Sequence, residues 1–125
     1  MEEIKKKMLI IEDDQTVHSV LKLVFEEVGY QVFAAVDAMQ GVMLARQVKP
    51  DIIVLDIMMP AGGGFAVYDR LKMMSGTFPA PLLIYSSMDP SVIRKKIQDG
   101  PTVIILSKGA KITQLREAAA RLIAG

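Results

Sequence analysis

The feature that most constrains this chain is a rhythm. Five short runs of β-branched or aliphatic residues alternate with longer stretches whose apolar positions recur every three or four residues. The short runs are Met8-Leu9-Ile10-Ile11, Gln31-Val32-Phe33-Ala34, Ile52-Ile53-Val54-Leu55, Pro81-Leu82-Leu83-Ile84-Tyr85 and Thr102-Val103-Ile104-Ile105-Leu106. Strand-length runs alternating with helical periods are the signature of βαβ units, which build a parallel sheet with helices on its faces. The first, third and fifth runs are nearly all apolar, the pattern of strands covered on both sides. Between them, Val17, Val20, Leu21, Val24 and Val28 predict a helix that Gly29 terminates. Ala38 to Val48 and Ala66 to Met74 continue the pattern, and Ile112, Leu115, Ala119 and Leu122 give the last helix one apolar stripe. Pro90 to Asp99 offers only Val92, Ile93 and Ile97 as apolar anchors and carries Arg94-Lys95-Lys96, which predicts a short, solvated helix.

Proline and glycine fall between the elements, at Lys49-Pro50, Pro60-Ala61-Gly62-Gly63-Gly64, Phe78-Pro79-Ala80-Pro81 and Gly100-Pro101. No repeat or linker divides the chain, so its 125 residues read as one α/β domain over 1–125. Hydrophobic residues at 51% and charged residues at 23% exclude a disordered chain. Fifteen basic against 14 acidic residues leave a net charge of +1, so no global field points to direct nucleic-acid binding. Without cysteine there is no disulfide framework, thiolate metal site or cysteine nucleophile. The apolar run Met8 to Ile11 ends at an acidic cluster, far short of a signal peptide or a membrane span, so the expectation is a cytoplasmic protein with no membrane insertion.

In an open parallel sheet, ligands sit at the carboxyl ends of the strands, near the point where strand order reverses. Glu12-Asp13-Asp14 follows the first strand, Asp56 the third, Ser86-Ser87 the fourth and Ser107-Lys108 the fifth. Carboxylates gathered on one rim repel one another unless a hard divalent cation sits among them, and Mg²⁺ takes carboxylate oxygens while keeping several waters. A cation beside a lysine and a hydroxyl suits a phosphoryl group, and Asp56 is then a candidate nucleophile carrying it as an acyl phosphate. Each part also has a plainer reading. Asp14 is well placed as a helix N-cap, a strand-end aspartate is commonly a turn residue, paired serines are turn hydroxyls, and a single lysine is a solvated charge. Their joint occurrence, in chain order and each at a strand end, favours the chemistry.

These residues also resemble a family. Met8 to Asp14, then Asp51-Ile52-Ile53-Val54-Leu55-Asp56-Ile57-Met58-Met59-Pro60 with Gly64 beyond, then Pro81 to Ser86 and Leu106-Ser107-Lys108, are together similar to the receiver domain of two-component response regulators. The resemblance spans nearly the whole chain and implies a five-stranded parallel sheet of order 2-1-3-4-5, the doubly wound, flavodoxin-like arrangement. It implies that Glu12, Asp13 and Asp56 hold Mg²⁺ with the backbone carbonyl of Met58, Glu12 through water because of its longer side chain. Asp56 is implied as phosphoacceptor, Ser86 as switch hydroxyl and Lys108 as the partner of the acceptor carboxylate and of its phosphoryl group. It further implies a sensor histidine kinase or phosphotransfer protein as phosphodonor and an output protein or fused output domain as receiver of the signal. The resemblance implies at most self-phosphorylation and autodephosphorylation rather than a conventional enzyme; the chain reads as a stand-alone receiver or one taken from a longer protein.

Three segments depart from that pattern. Ile105 stands where many receivers carry an aromatic residue, Gly109 follows the lysine in place of proline, and Gly62-Gly63-Gly64 predicts a flexible loop beyond Asp56. They keep open a pseudo-receiver that binds partners without phosphorylation. A haloacid-dehalogenase-like phosphatase needs a second aspartate two residues after the nucleophile, and Met58 occupies that place. With no ring at Ile105, a phosphorylation signal is expected to run through Ser86 and the segment Met88 to Gly100. His18 reads as a surface or boundary residue without chemistry. The nine methionines read as adaptable core filler, with Met39, Met43 and Met88 as contributors to a partner surface.

Overall fold

A computed structural model of the chain describes residues 4–60, 63–74 and 80–125. Five strands, β1 (Lys7–Ile11), β2 (Gln31–Ala35), β3 (Ile52–Leu55), β4 (Leu82–Ser86) and β5 (Val103–Ser107), alternate with five helices. The helices are α1 (Gln15–Glu26), α2 (Ala38–Val48), α3 (Gly63–Met73), α4 (Pro90–Ile93) and α5 (Ile112–Ala124). All strand pairings are parallel, in the order β2-β1-β3-β4-β5.

The period of two along the strands divides the core. Leu9, Ile11, Ile53, Leu55, Leu82 and Ile84 face α2, α3 and the α4 segment, where they meet Val42, Ala45, Val67, Leu71, Ile93 and Ile97. Met8, Ile10, Ile52, Val54 and Leu83 face the other way, onto Leu21, Val24 and Phe25 of α1 and Leu115, Ala119 and Leu122 of α5. The two helices of that layer are tied together: the Arg116 guanidinium donates to the Val24 carbonyl at 2.9 and 3.1 Å and to Glu27 at 3.0 Å. Asp14 caps α1, accepting from the amides of Thr16 at 2.9 Å and Val17 at 3.2 Å. Beyond the helix, Gly29 turns the chain with φ +95°.

Several expectations change. The buried face of α1 runs through His18, Leu21, Val24 and Phe25, while Val20 and Val28 are about half exposed. His18 is therefore buried rather than superficial, and its Nε2 has no hydrogen-bond partner. β5 lies at the edge of the sheet, so its apolar run is only partly covered, whereas β4, inside the sheet, is buried at all positions but Tyr85. Met8 and Met59 are core residues, but Met39, Met43, Met58 and Met73 are exposed and Met88 packs against the core. Ile93 and Ile97 are fully buried, which anchors the α4 segment more firmly than its composition suggests. Arg94 pairs with Asp99, and Lys96 lies 3.9 Å from Asp69 and 5.2 Å from the centroid of the Phe65 ring. The basic run is thus partly engaged with its neighbours.

Gly63 and Gly64 are not loop residues but open α3; Gly62 lies outside the described residues. A Cβ on Gly64 would run into backbone, the Cα and carbonyl of Ile57 and the carbonyl of Asp56, the last at 2.6 Å. The first turn of α3 therefore lies directly on the segment that follows β3. Backbone atoms cannot step aside as a side-chain tip can, so Gly64→Ala is expected to destabilise the domain by about 3 kcal/mol. Thermal unfolding should record a fall in Tm on the order of 10 °C; an unchanged Tm would contradict this packing.

Candidate functional site

Strand order reverses at β1, which pairs with β2 on one side and β3 on the other. The rim at this switch point carries Glu12 and Asp13, directly after β1, and Asp56, directly after β3. The amide of Asp56 donates to the Ile11 carbonyl at 3.0 Å and that of Glu12 to the Ala35 carbonyl at 3.0 Å, so the ladder fixes both positions. One carboxylate oxygen from each of Glu12, Asp13 and Asp56 lies within 4.8 Å of the other two. Glu12 and Asp56 are buried, at 2% and 3% exposure, and Asp13 is open to solvent.

The cation facing them comes from the far edge. Lys108, in the loop after β5, places Nζ 2.7 Å from Glu12 Oε1 and 3.3 Å from Asp56 Oδ2. The approach to Glu12 is short but off the direction a hydrogen bond needs, so Oε1 stays buried without a hydrogen-bond partner. The other Glu12 oxygen accepts from the Asp14 amide at 3.1 Å. Burial pushes the Glu12 carboxyl up to about 7 from its ordinary 4.5; Lys108 and the Asp14 amide oppose this, and the negative charge of Asp56 adds to it. Burial works to lower the Lys108 ammonium, but the close approach of Glu12 and the charges of Asp56 and Glu12 outweigh it, and the net shift is upward.

Asp56 is held on its second oxygen as well, since the Met58 amide donates to Oδ1 at 3.0 Å. The Met58 side chain is about half exposed, and its Sδ accepts from Ser87 Oγ at 3.2 Å, linking the loops after β3 and β4. Ser86 is fully buried at the end of β4, where its Oγ accepts from the Met88 amide at 3.2 Å. Glu12, Asp13, Asp56 and Lys108, all expected from the sequence, therefore form one constellation. Ser86 shares the rim through the Lys108 amide, which donates to its carbonyl at 3.0 Å. Sequence reading missed Tyr85, whose hydroxyl donates to the Lys108 carbonyl at 3.2 Å. Only its place beside Ser86, in a strand otherwise aliphatic up to that serine, marks it.

The donor set is all oxygen and converges within one ion's reach, and one buried carboxylate oxygen, Glu12 Oε1, has no hydrogen-bond partner and faces only the Lys108 ammonium. That suits a hard divalent cation such as Mg²⁺. Among the described residues no helix is long and apolar enough to cross a membrane.

Comparison with known proteins identifies a family. The family model for the response regulator receiver domain matches residues 8–120. The chain is 38% identical over 92 residues to the DNA-binding dual master transcriptional regulator RpaA of Synechocystis, covering 74% of this chain but 37% of that protein. It is 36% identical over 83 residues to protein PilH of Pseudomonas aeruginosa, covering 66% of this chain and 69% of PilH. The chain thus spans little more than a third of RpaA and about two thirds of PilH. Among solved structures, the receiver domain of sensor histidine kinase PA1611 from Pseudomonas aeruginosa, with magnesium coordinated in its active site cleft, superposes with a TM-score of 0.86 at 21% identity, over 98% of this chain and 100% of that one. The signal receiver domain of a signal transduction histidine kinase from Syntrophus aciditrophicus gives 0.83 at 29% identity, over 96% and 91%. The first of these likenesses speaks to the fold; the family match, running from β1 into α5, carries the assignment. The chain belongs to the response regulator receiver domains of two-component signal transduction.

Proposed function

We propose that this chain, as one receiver domain over residues 1–125, accepts a phosphoryl group on Asp56 from the phosphohistidine of a sensor histidine kinase or phosphotransfer protein and passes the signal to an output protein or fused output domain. The observation that carries this reading is the setting of Asp56: buried, held at Oδ1 by the Met58 amide, faced at Oδ2 by Lys108, and within one ion's reach of Glu12 and Asp13. An Asp56 oxygen bonds to phosphorus as the bond from phosphorus to the donor's imidazole nitrogen breaks, and that nitrogen takes up a proton from solvent. Lys108 neutralises charge on the phosphoryl oxygens, and the Ser86 hydroxyl turns from the Met88 amide to donate to one of them. Glu12, Asp13, Asp56 and the Met58 carbonyl are the ligands proposed for Mg²⁺, which supplies charge neutralisation at the phosphoryl oxygens when bound. Movement of Ser86 draws on the loop that continues into Met88 to Gly100, the segment proposed to carry the signal outward.

Asp56→Asn is expected to abolish the acyl phosphate, because the amide supplies no nucleophilic oxygen here. Intact-protein mass spectrometry after incubation with acetyl phosphate and Mg²⁺ reads this directly. A phosphoryl adduct on Asp56→Asn would move the acceptor elsewhere, and no adduct on the unsubstituted protein would favour a receiver that works without phosphorylation.

The raised carboxyl of Glu12 sets a pH dependence. Without metal, the folded state binds an extra proton between about pH 4.5 and 7, so this contribution to stability is fully present below 4.5 and is lost as pH rises through about 7. Thermal melts across that window should fall more steeply for the unsubstituted protein than for Glu12→Gln, and millimolar Mg²⁺ should flatten the difference. Calorimetric Mg²⁺ binding should strengthen as pH rises through the same range and weaken at least tenfold in Asp13→Ala. Equal affinity in the two proteins would remove Asp13 from the ligand set.

A further inference from the structure

Lys108 reaches its two carboxylates from a loop that its own sequence does little to fix. Gly109 follows it, and a Cβ there would meet nothing nearer than Ser107 Oγ at 3.8 Å, so no side chain packs the turn. The turn closes through one local bond, from the Ala110 amide to the Ser107 carbonyl at 2.9 Å. Both backbone polar groups of Lys108 are nevertheless held, and both by β4: its amide donates to the Ser86 carbonyl and its carbonyl accepts from the Tyr85 hydroxyl.

We infer that Tyr85 is a positioning residue for phosphoryl transfer, its hydroxyl clamping the Lys108 carbonyl so that the ammonium is delivered to Glu12 and Asp56. The inference rests on the proposal that Asp56 is the phosphoacceptor. The Tyr85 ring is partly buried and packs against the apolar layer that holds Leu21 of α1 and Leu115 of α5, so the hydroxyl is carried by a seated ring rather than by a free rotor. Burial holds the phenol above its ordinary range, with Lys108 opposing and Glu12 adding, and the hydroxyl stays a donor at any pH at which the domain works. Tyr85 touches neither carboxylate nor phosphoryl group, so its effect must pass through Lys108.

Tyr85→Phe removes the hydroxyl and keeps the ring. Two readouts separate positioning from general support. The Lys108 Nζ resonance, observed by ¹⁵N NMR without metal or phosphodonor, should move toward that of a free lysine in Tyr85→Phe and stay in place in Tyr30→Phe. The rate of phosphoryl uptake from acetyl phosphate should fall about fivefold in Tyr85→Phe, and the same substitution should have no further effect once Lys108 is already alanine. An unmoved Lys108 resonance, or an equal loss in the presence and absence of the lysine, would overturn the inference. If the unsubstituted protein takes up no phosphoryl group, the phosphoacceptor reading fails by itself, and the resonance alone decides whether Tyr85 positions Lys108.

Discussion

Everything at the rim depends on one unequal electrostatic arrangement: three carboxylates share a cleft with a single ammonium. Two of them are buried, and in a medium of low effective dielectric their repulsion and lost hydration are substantial. Such a cluster persists only because the backbone leaves it no freedom. Asp56 and Glu12 are fastened by sheet hydrogen bonds immediately before their side chains begin, and α3 lies against the backbone of Asp56 and Ile57 through Gly64. The apolar core on both faces of β1 and β3 makes that scaffold stiff. Carboxylate repulsion is thus concentrated at one cleft, where the Lys108 ammonium offsets part of it and a hard cation would offset more.

Much of the fold was legible because strand cores and helix stripes obey different periods. The runs at 8–11 and 52–55 read as central strands and are central, since complete burial demands continuous apolar sequence. The run at 102–106 reads the same way yet forms an edge, because sequence reports apolarity and not which neighbour is missing. On α1, counting valines placed Val20 and Val28 on the buried face; the helix instead turns Phe25 and His18 inward. A histidine scores as polar, but most of its surface is a ring that can be covered, and periodicity gives no weight to that.

The site was legible for the same reason that it is crowded: acidic residues after buried strands have no structural need to be there in such number. Their pairing with Lys108 was what the resemblance to receiver domains implied, and the long lysine side chain spans the distance from the edge strand. What sequence could not supply was the hierarchy within it. Lys108 lies closer to Glu12 than to Asp56, a consequence of side-chain length and loop path. Tyr85 escaped notice because its contact is with a backbone carbonyl, and carbonyls leave no signature in the residues that present them.

The Arg116 tie between α5 and the end of α1 has a consequence for the order of assembly. Leu21, Val24 and Phe25 belong to the same apolar layer as Leu115 and Leu122 of α5, residues made some ninety positions later. The layer is therefore closed only by the last helix, which covers the face of the sheet that α1 leaves open. Contacts between residues so far apart in sequence close slowly, and the guanidinium that joins Val24 to Glu27 then seals the layer. Until residues 112–124 are in place, Ile52, Val54 and Leu83 on the sheet lack the cover that Leu115, Ala119 and Leu122 give them.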